Sequence, residues 1–433
     1  MSLRRRLMPF VSKIITSSSR LKFQRKIKQF TRQTMKSVAE VDFFYQMDDP
    51  YSHLLAQHLV KLEQRYNVEV RFHIVSQPDD AAAPEREALS AYALRDAQDI
   101  ASYHELSFPK ATEIPDQNTV NTALRAIIGQ DRIGPGLIEI GDMFWNGESE
   151  RLKNMPLVSQ QEVQSQISEG TALRESLGHY LGAMLHFDGE WFWGVDRLPY
   201  LEDILVEQGL LYAGAKRIGE FQKRPDFASS PAKRRVKVEV FSSLRSPYTY
   251  LAFQEILDLP NRYPVDIVWR PVMPMVMRGL PVPPTKGRYI MADVKREADR
   301  IGIEFGHISD PVGEPVMRGY SLYPYAKNNG VGGEFLFAFC KMAWSEGRDM
   351  GQDASLQEAI ERVGLNWNEA LEYLDNKDWQ AEIEDNRLQL FESGLWGVPS
   401  FRLVGPRGKE LYSAWGRDRI WLLEHHIQEA LCK

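Results

Sequence analysis

The sequence predicts an α/β chain built as two tandem domains of one fold. Three observations predict it. A strand–turn–helix pattern occurs twice, as VDFFYQMDDPYSHLL (41–55) and VEVFSSLRSPYTYLAF (238–253). A second block repeats too: Phe192–Leu205, FWGVDRLPYLEDIL, matches Ala414–Ile427, AWGRDRIWLLEHHI. Third, 433 residues suffice for two or three domains at roughly 100–200 residues each.

The repeat gives the register. At a shift of 197 residues, Val41-Asp42-Phe43-Phe44 meets Val238-Glu239-Val240-Phe241, and Pro50-Tyr51 meets Pro247-Tyr248. Repeats of this length are too long for solenoid units and read as whole domains. Each copy opens with a β-branched or aromatic strand, VDFFYQ or VEVFSS. A helical run follows, SHLLAQHLVKLEQRY or YLAFQEILDL, then a second strand, VEVRFHIV or VDIVWRPV. Strand–helix–strand with short loops predicts a right-handed crossover and parallel pairing. A long helical middle comes next, with apolar residues at helical spacing in YIMADVKREADRIGI, EFLFAFCKMAWSEGRD and ASLQEAIERVG. GVPSFRLV then reads as a strand opened by Gly and Pro, GPRGK as the turn of a hairpin, and DRIWLLEHHIQEAL as a last helix capped by Asp418. The order β-α-β, helical insertion, β-β-α is that of a thioredoxin-like domain interrupted by helices. The expected organisation is a basic segment at 1–37, a first domain at 38–215, a linker at 216–235 and a second domain at 236–433.

Composition narrows the function. An apolar share of 43% and a charged share of 26% are those of an ordinary globular chain. Only Cys340 and Cys432 are present and no CxxC occurs, so a dithiol oxidoreductase, a disulfide framework and a cysteine metal site are not expected. Sparse cysteine fits a reducing compartment, and the expected location is cytoplasmic, or an organelle if the chain is imported. No run of 18 apolar residues predicts a membrane span. Residues 1–36 carry 11 Lys or Arg and no acid, which leaves −17 on the rest against −6 for the whole. Such a leader can touch a membrane surface, serve as a targeting sequence or remain an unstructured tail. No nucleic-acid partner is expected. His307 and His425-His426 lack metal-ligand companions at suitable spacing, so no metal site is expected.

Three elements of the second copy carry candidate chemistry. Ser246 precedes Pro247 at a helix start, with Tyr248 after it. A hydroxyl beside free N–H groups at a helix N-terminus can hold a thiolate and lower a thiol pKa, or it can simply cap the helix. Pro399 in Gly397-Val398-Pro399-Ser400 opens a strand where a cis bond is expected, with Val398 presenting its backbone to an extended peptide, or it is an ordinary edge-strand proline. Gly416-Arg417-Asp418-Arg419 can receive an amino-acid head group or act as a solvated cap. Topology places all three at one end of a sheet. Arg245 either meets a substrate carboxylate or points to solvent. Trp344, Trp396 and Trp415 either line an aromatic pocket or fill the core, and Cys340 is expected in the core.

These residues resemble a known family. VEVFSSLRSPYTYLAF, PTKGRYIMADVKREADRIGI, AFCKMAWSEGRD, GVPSF and WGRDRIWLLE, within about 236–430, are similar to 2-hydroxychromene-2-carboxylate isomerases and kappa-class glutathione transferases, of the DsbA-like thioredoxin superfamily. The resemblance implies that glutathione is the cofactor and that Ser246 faces its sulfur. It implies that Val398, beside Pro399, pairs with the glutathione backbone, that Arg417 and Asp418 hold its γ-glutamyl end, and that Lys286 lies near glutathione or substrate. Arg245, Tyr248 and Trp396 are then the residues nearest substrate. The implied activity is a glutathione-dependent isomerase acting by reversible thiolate addition to a conjugated aromatic carboxylate. The alternatives are a kappa-type transferase and a non-catalytic glutathione- or peptide-binding protein. The first copy has Asp49 where the second has Ser246, and Gly182 is expected where the second has Pro399. Its expected role is structural, as an internal pseudo-dimer partner, with a homodimer the other possibility.

Overall fold

The computed structural model describes residues 3–130, 133–226 and 235–432. It divides into two compact units. The first comprises Leu21–Gln222 with Val282–Tyr289, and the second Met1–Arg20, Lys223–Pro281 and Ile290–Lys433. Each holds one four-stranded sheet with the same strand order and the same mixture of directions. Part of the expected linker, 227–234, lies outside the described residues.

In the first unit β1 (Ala39–Tyr45) leads into the helix Pro50–Arg65 and returns as β2 (Val68–Ile74), parallel to β1. Val41 and Phe43 alternate with Glu40 and Asp42 along β1, and the apolar pair is fully buried, as the two-residue period of a strand requires. The insertion includes Arg86–Ala101, Gln117–Ile128, Ile133–Trp145 and Gln160–Ser176. The last opens with a capping box, in which the Ser159 hydroxyl accepts from the Glu162 amide and the Glu162 carboxylate from the Ser159 amide. β3 (Met184–Phe187) then pairs antiparallel to β1, β4 (Glu190–Trp193) pairs with β3, and the helix Gly194–Glu207 closes the unit.

The second unit repeats this plan. β5 (Val236–Ser242), the helix Pro247–Arg262 and β6 (Val265–Pro271) form the parallel crossover. β7 (Ser400–Val404), β8 (Glu410–Trp415) and the helix Ile420–Cys432 complete it. The sheet order is β6-β5-β7-β8, against β2-β1-β3-β4 in the first unit. The expected α/β class with two thioredoxin-like sheets is the one the structure adopts. Asp418 sits in a single 3-10 turn, Arg417–Arg419, and the final α-helix opens at Ile420, two residues later than expected.

The helical insertion of the second unit supplies most of its core. Leu336, Phe339, Cys340 and Trp344, on the helix Gly332–Trp344, are at most 2% exposed and pack with Tyr250, Leu251 and Phe253. Burying one such aromatic side chain contributes about 2–3 kcal/mol. Two members of this face reach the turn before Ser246. The Trp344 indole N–H lies 3.4 Å, and the Cys340 sulfur 3.6 Å, from the Leu244 carbonyl oxygen. Trp344 is therefore part of the core behind the turn, and burial raises the Cys340 thiol pKa well above its ordinary value.

The basic leader is not an unstructured tail. It forms two helices, Leu3–Ile15 and Ser18–Met35. Among the described residues no helix is long and apolar enough to cross a membrane.

Candidate active site

The turn between β5 and the helix Pro247–Arg262 places Ser246 at the helix N-cap, with extended backbone angles and Pro247 at the first helical position. Proline suits that place because its missing N–H would have no intrahelical partner. The Ser246 hydroxyl accepts the Thr249 amide at 3.1 Å. It also donates to the Val398 carbonyl oxygen at 3.2 Å, joining the helix start to the turn before β7. The Val398–Pro399 peptide bond is cis. Among the described residues none accepts the Val398 N–H, and Val398 is partly exposed. A Cβ at Gly397 would collide with the Trp415 indole, so the approach to the turn requires glycine. The Pro399 carbonyl accepts the Gly416 amide at 2.9 Å, which ties the third element to the second. Ser246, Val398–Pro399 and the Gly416–Asp418 turn thus stand together.

The neighbouring predicted residues take several orientations. Tyr248 donates its hydroxyl to Asp293 at 2.7 Å. Arg245 makes a paired contact with Asp310, Nε to Oδ1 at 2.9 Å and Nη2 to Oδ2 at 2.8 Å, so its charge is matched within the protein. Trp396 is 7% exposed and packs its ring against Trp415 at 4.9 Å between centroids. Arg417 points inward. It is 7% exposed and pairs with Glu297 at 2.7 Å and Glu255 at 3.0 Å. Asp418 is the partly exposed member of that turn. Lys286 belongs to the first unit, where its ammonium donates to the Ala82 carbonyl at 2.9 Å and burial lowers its pKa. Among the described residues no group of His, Cys, Asp and Glu could hold a metal.

The first unit carries the same turn with other side chains. Asp49 is the N-cap of the helix Pro50–Arg65, accepting the Tyr51 amide at 3.2 Å and the Ser52 hydroxyl at 2.8 Å. Burial outweighs these donors and pushes its carboxyl up to about 7. The strand register corrects the expected position of the lost proline. Phe44 pairs with Met184 as Phe241 pairs with Ser400, so Ala183, not Gly182, stands at the place of Pro399. The Gly194 amide donates to the Ala183 carbonyl at 2.9 Å, as Gly416 does to Pro399. Unlike proline, Ala183 has an N–H, and the Ser52 hydroxyl accepts it at 2.8 Å. The one-residue offset was illegible because the glycine-rich approach to β3 has no sequence match to GVPSF.

Sequence reasoning missed the charged centre of each sheet. On β5, Glu239 is buried between Arg270 of β6, at 2.6 Å, and Arg402 of β7. On β1, Asp42 occupies the equivalent place between His73 at 2.9 Å and His186 at 3.3 Å. Period-two alternation within each strand was the available signal. The pairing itself spans three strands. Two other bonds recur. Tyr51–Asp96 at 2.7 Å matches Tyr248–Asp293, and Tyr66–Glu202 at 2.6 Å matches Tyr263–Glu424 at 2.9 Å.

Comparison with known proteins bears on the second unit. Residues 237–428 match the family model of the DSBA-like thioredoxin domain. The chain is 24% identical over 198 residues to 2-hydroxychromene-2-carboxylate isomerase from Sphingobium xenophagum, covering 44% of this chain and 97% of that protein. A solved 2-hydroxychromene-2-carboxylate isomerase is 20% identical with a TM-score of 0.38, over 45% of this chain and 96% of the other. The cytosolic disulfide reductase DsbM from Pseudomonas aeruginosa is 18% identical with a TM-score of 0.36, over 45% of this chain and 100% of the other.

Proposed function

We propose that the second unit is a glutathione-dependent isomerase of the 2-hydroxychromene-2-carboxylate type. The observation that carries the reading is the placement of the Ser246 hydroxyl at a helix N-terminus, 3.2 Å from the carbonyl of the residue before a cis-proline. The residues fit the cofactor. The Val398 N–H without an acceptor suits an extended peptide backbone, and Ser246 with the first helical amides suits a thiolate.

When bound, glutathione supplies a thiolate that adds to a conjugated carbon and leaves again, so that the bond between can rotate. Ser246 donates its proton to the sulfur in place of the Val398 carbonyl and favours the ionised form. Val398 aligns the backbone, Pro399 just before β7 brings no N–H of its own to the turn, and Asp418 receives the γ-glutamyl ammonium. Arg417, paired with Glu255 and Glu297, braces that turn from beneath. The first unit is the degenerate copy of a tandem pair, with a carboxyl at the place of the hydroxyl.

The same site supports a kappa-type transferase, in which the thiolate stays on the product. A dithiol mechanism has no cysteine in the turn, since Cys340 is buried in the core and Cys432 is exposed at the end of the terminal helix. The test is turnover of a hydroxychromene carboxylate and of a chlorodinitrobenzene-type electrophile, with and without glutathione. Glutathione-dependent isomer formation with no consumption of glutathione supports the isomerase. Conjugate formation alone assigns the transferase. Glutathione binding without either reaction overturns both.

A further inference from the structure

The second leader helix is inside out. A surface helix ordinarily turns its apolar stripe to the core and its charges to water. In Ser18–Met35 the charges face in. Arg25 holds Glu190 through both nitrogens, with Nη2 to Oε2 at 2.9 Å, and Arg32 holds Asp188 at 2.8 Å. Gln29 donates to the Gln208 carbonyl at 3.2 Å. The opposite face carries Phe23, Ile27 and Phe30, exposed by 65%, 49% and 70%. Their spacing of four and then three residues aligns them as one stripe. Lys22, Lys26 and Lys28 are exposed beside it. The preceding helix, in the other unit, shows the same inversion. Ser12 is buried, its hydroxyl accepting the Ile308 amide at 3.0 Å, as is Thr16 just past the helix end, while Phe10 and Ile14 are exposed by 63% and 66%.

Three large apolar side chains in one exposed row cost free energy in water, at about 25 cal/mol for each Å² left uncovered. The arginine pairs fix the helix in this orientation, so the stripe cannot turn inward without breaking them. We infer that the outer face of Ser18–Met35 docks this protein on an anionic phospholipid surface, lying in the headgroup plane. Charge selects that occupant. The leader has 11 basic residues and no acid, and among the described residues no ion pair engages Lys22, Lys26 or Lys28 beside the stripe. A second copy of the same stripe would bring lysines against lysines. A nucleic acid would satisfy the lysines but would give Ile27 and Phe30 no apolar medium. An anionic bilayer satisfies both, through lipid phosphates for the lysines and acyl boundary for the stripe. The helix lies on the bilayer rather than across it, since no described helix is apolar enough to span.

The experiment uses the full chain, sedimented with vesicles of phosphatidylglycerol and phosphatidylcholine and with vesicles of phosphatidylcholine alone. Binding is expected to the anionic vesicles, weakened by 0.5 M salt. Replacing Phe23, Ile27 and Phe30 together by alanine should reduce it by about ten-fold or more, because each loses apolar area buried in the interface. The three are exposed, so circular dichroism and the unfolding midpoint should stay unchanged. The inference is overturned if wild type fails to bind anionic vesicles, or if the triple variant binds as well. It is also overturned if sedimentation velocity shows a wild-type dimer that the triple variant dissolves, which would make a second copy the occupant.

Discussion

The Ser246 hydroxyl donates to the Val398 carbonyl oxygen at 3.2 Å while accepting the Thr249 amide at 3.1 Å. One small side chain therefore caps a helix, ties two distant turns together and stands where a thiolate would be held. These roles separate by substitution. Ser246→Ala should lower unfolding stability by about 1 kcal/mol, the usual cost of losing a cap. The glutathione-dependent kcat/KM should fall by about 100-fold, more than a loss of stability of that size explains. Ser246→Asn keeps a capping oxygen and should restore stability but not turnover. Denaturant melts beside initial rates read both. Unchanged activity in Ser246→Ala would remove Ser246 from the mechanism.

Asp49 predicts a pH dependence for the first unit. Burial raises its carboxyl from an ordinary 3.8 to about 7. A carboxyl raised in the folded state contributes its stability below the ordinary value and loses it as pH rises through the folded one. The contribution of Asp49 to the stability of the first unit should therefore fall between about pH 4 and pH 7 by linkage, against the opposite change from His58 and His179, which burial holds low. Asp49→Asn retains a capping residue and should flatten that fall. Urea melts of both proteins across the range provide the check. A difference between the two proteins' midpoints that does not change with pH there would refute it.

The two sheet centres predict unequal costs. Burial opposes ionisation of Asp42, but His186 and His73 outweigh it and hold the carboxyl well below the usual range. Burial likewise opposes Glu239, and Arg270 and Arg402 hold it low. A depressed carboxyl contributes stability above its ordinary pKa and loses it as pH falls through the folded value, so both contributions fade in acid, below about pH 4. Removing the carboxylate differs between them. Glu239→Gln strands two permanent charges and should cost about 3 kcal/mol, whereas Asp42→Asn leaves imidazoles that can be neutral and should cost about 1 kcal/mol. Denaturant melts rank the pair, and an equal or reversed order would count against this account.

Arg417 predicts a loss of stability rather than of affinity alone. Its guanidinium answers Glu297 and Glu255, which are 3% and 23% exposed at the side chain. Arg417→Met should destabilise the second unit by about 3 kcal/mol, because Glu255 and the buried Glu297 lose a cation and Glu297 is left with Arg300 at 3.4 Å. Asp418→Asn should weaken glutathione binding by titration calorimetry more than it lowers the melt. The reverse pattern would exchange the two roles.

Much of this was legible along the chain. The proline turns at 50 and 247, the Ser246 cap and the GVPSF strand opening are local signals, each set within a few residues by backbone angle or hydrogen-bond geometry. The matching of Val41–Phe44 with Val238–Phe241 located two sheets of one strand order, because a strand alternates its burial wherever it lies. Other assignments were not legible. The place of Pro399 in the first unit belongs to Ala183 by the register of β1 with β3, a relation across more than 130 residues.

The α/β class, the repeated strand–helix–strand order and the hydroxyl at the second turn are written locally along the chain, since each follows from short-range periodicity and capping. Only the tertiary structure decided where long side chains point. It turned Arg417 inward to Glu255 and Glu297, joined Lys286 to Ala82 in the first unit, and faced Arg25 and Arg32 toward Glu190 and Asp188, leaving Phe23, Ile27 and Phe30 outside. The physical reason is the same each time. Hydropathy ranks a residue's preference for burial, but which face of a helix is covered depends on partners that the chain brings from far away.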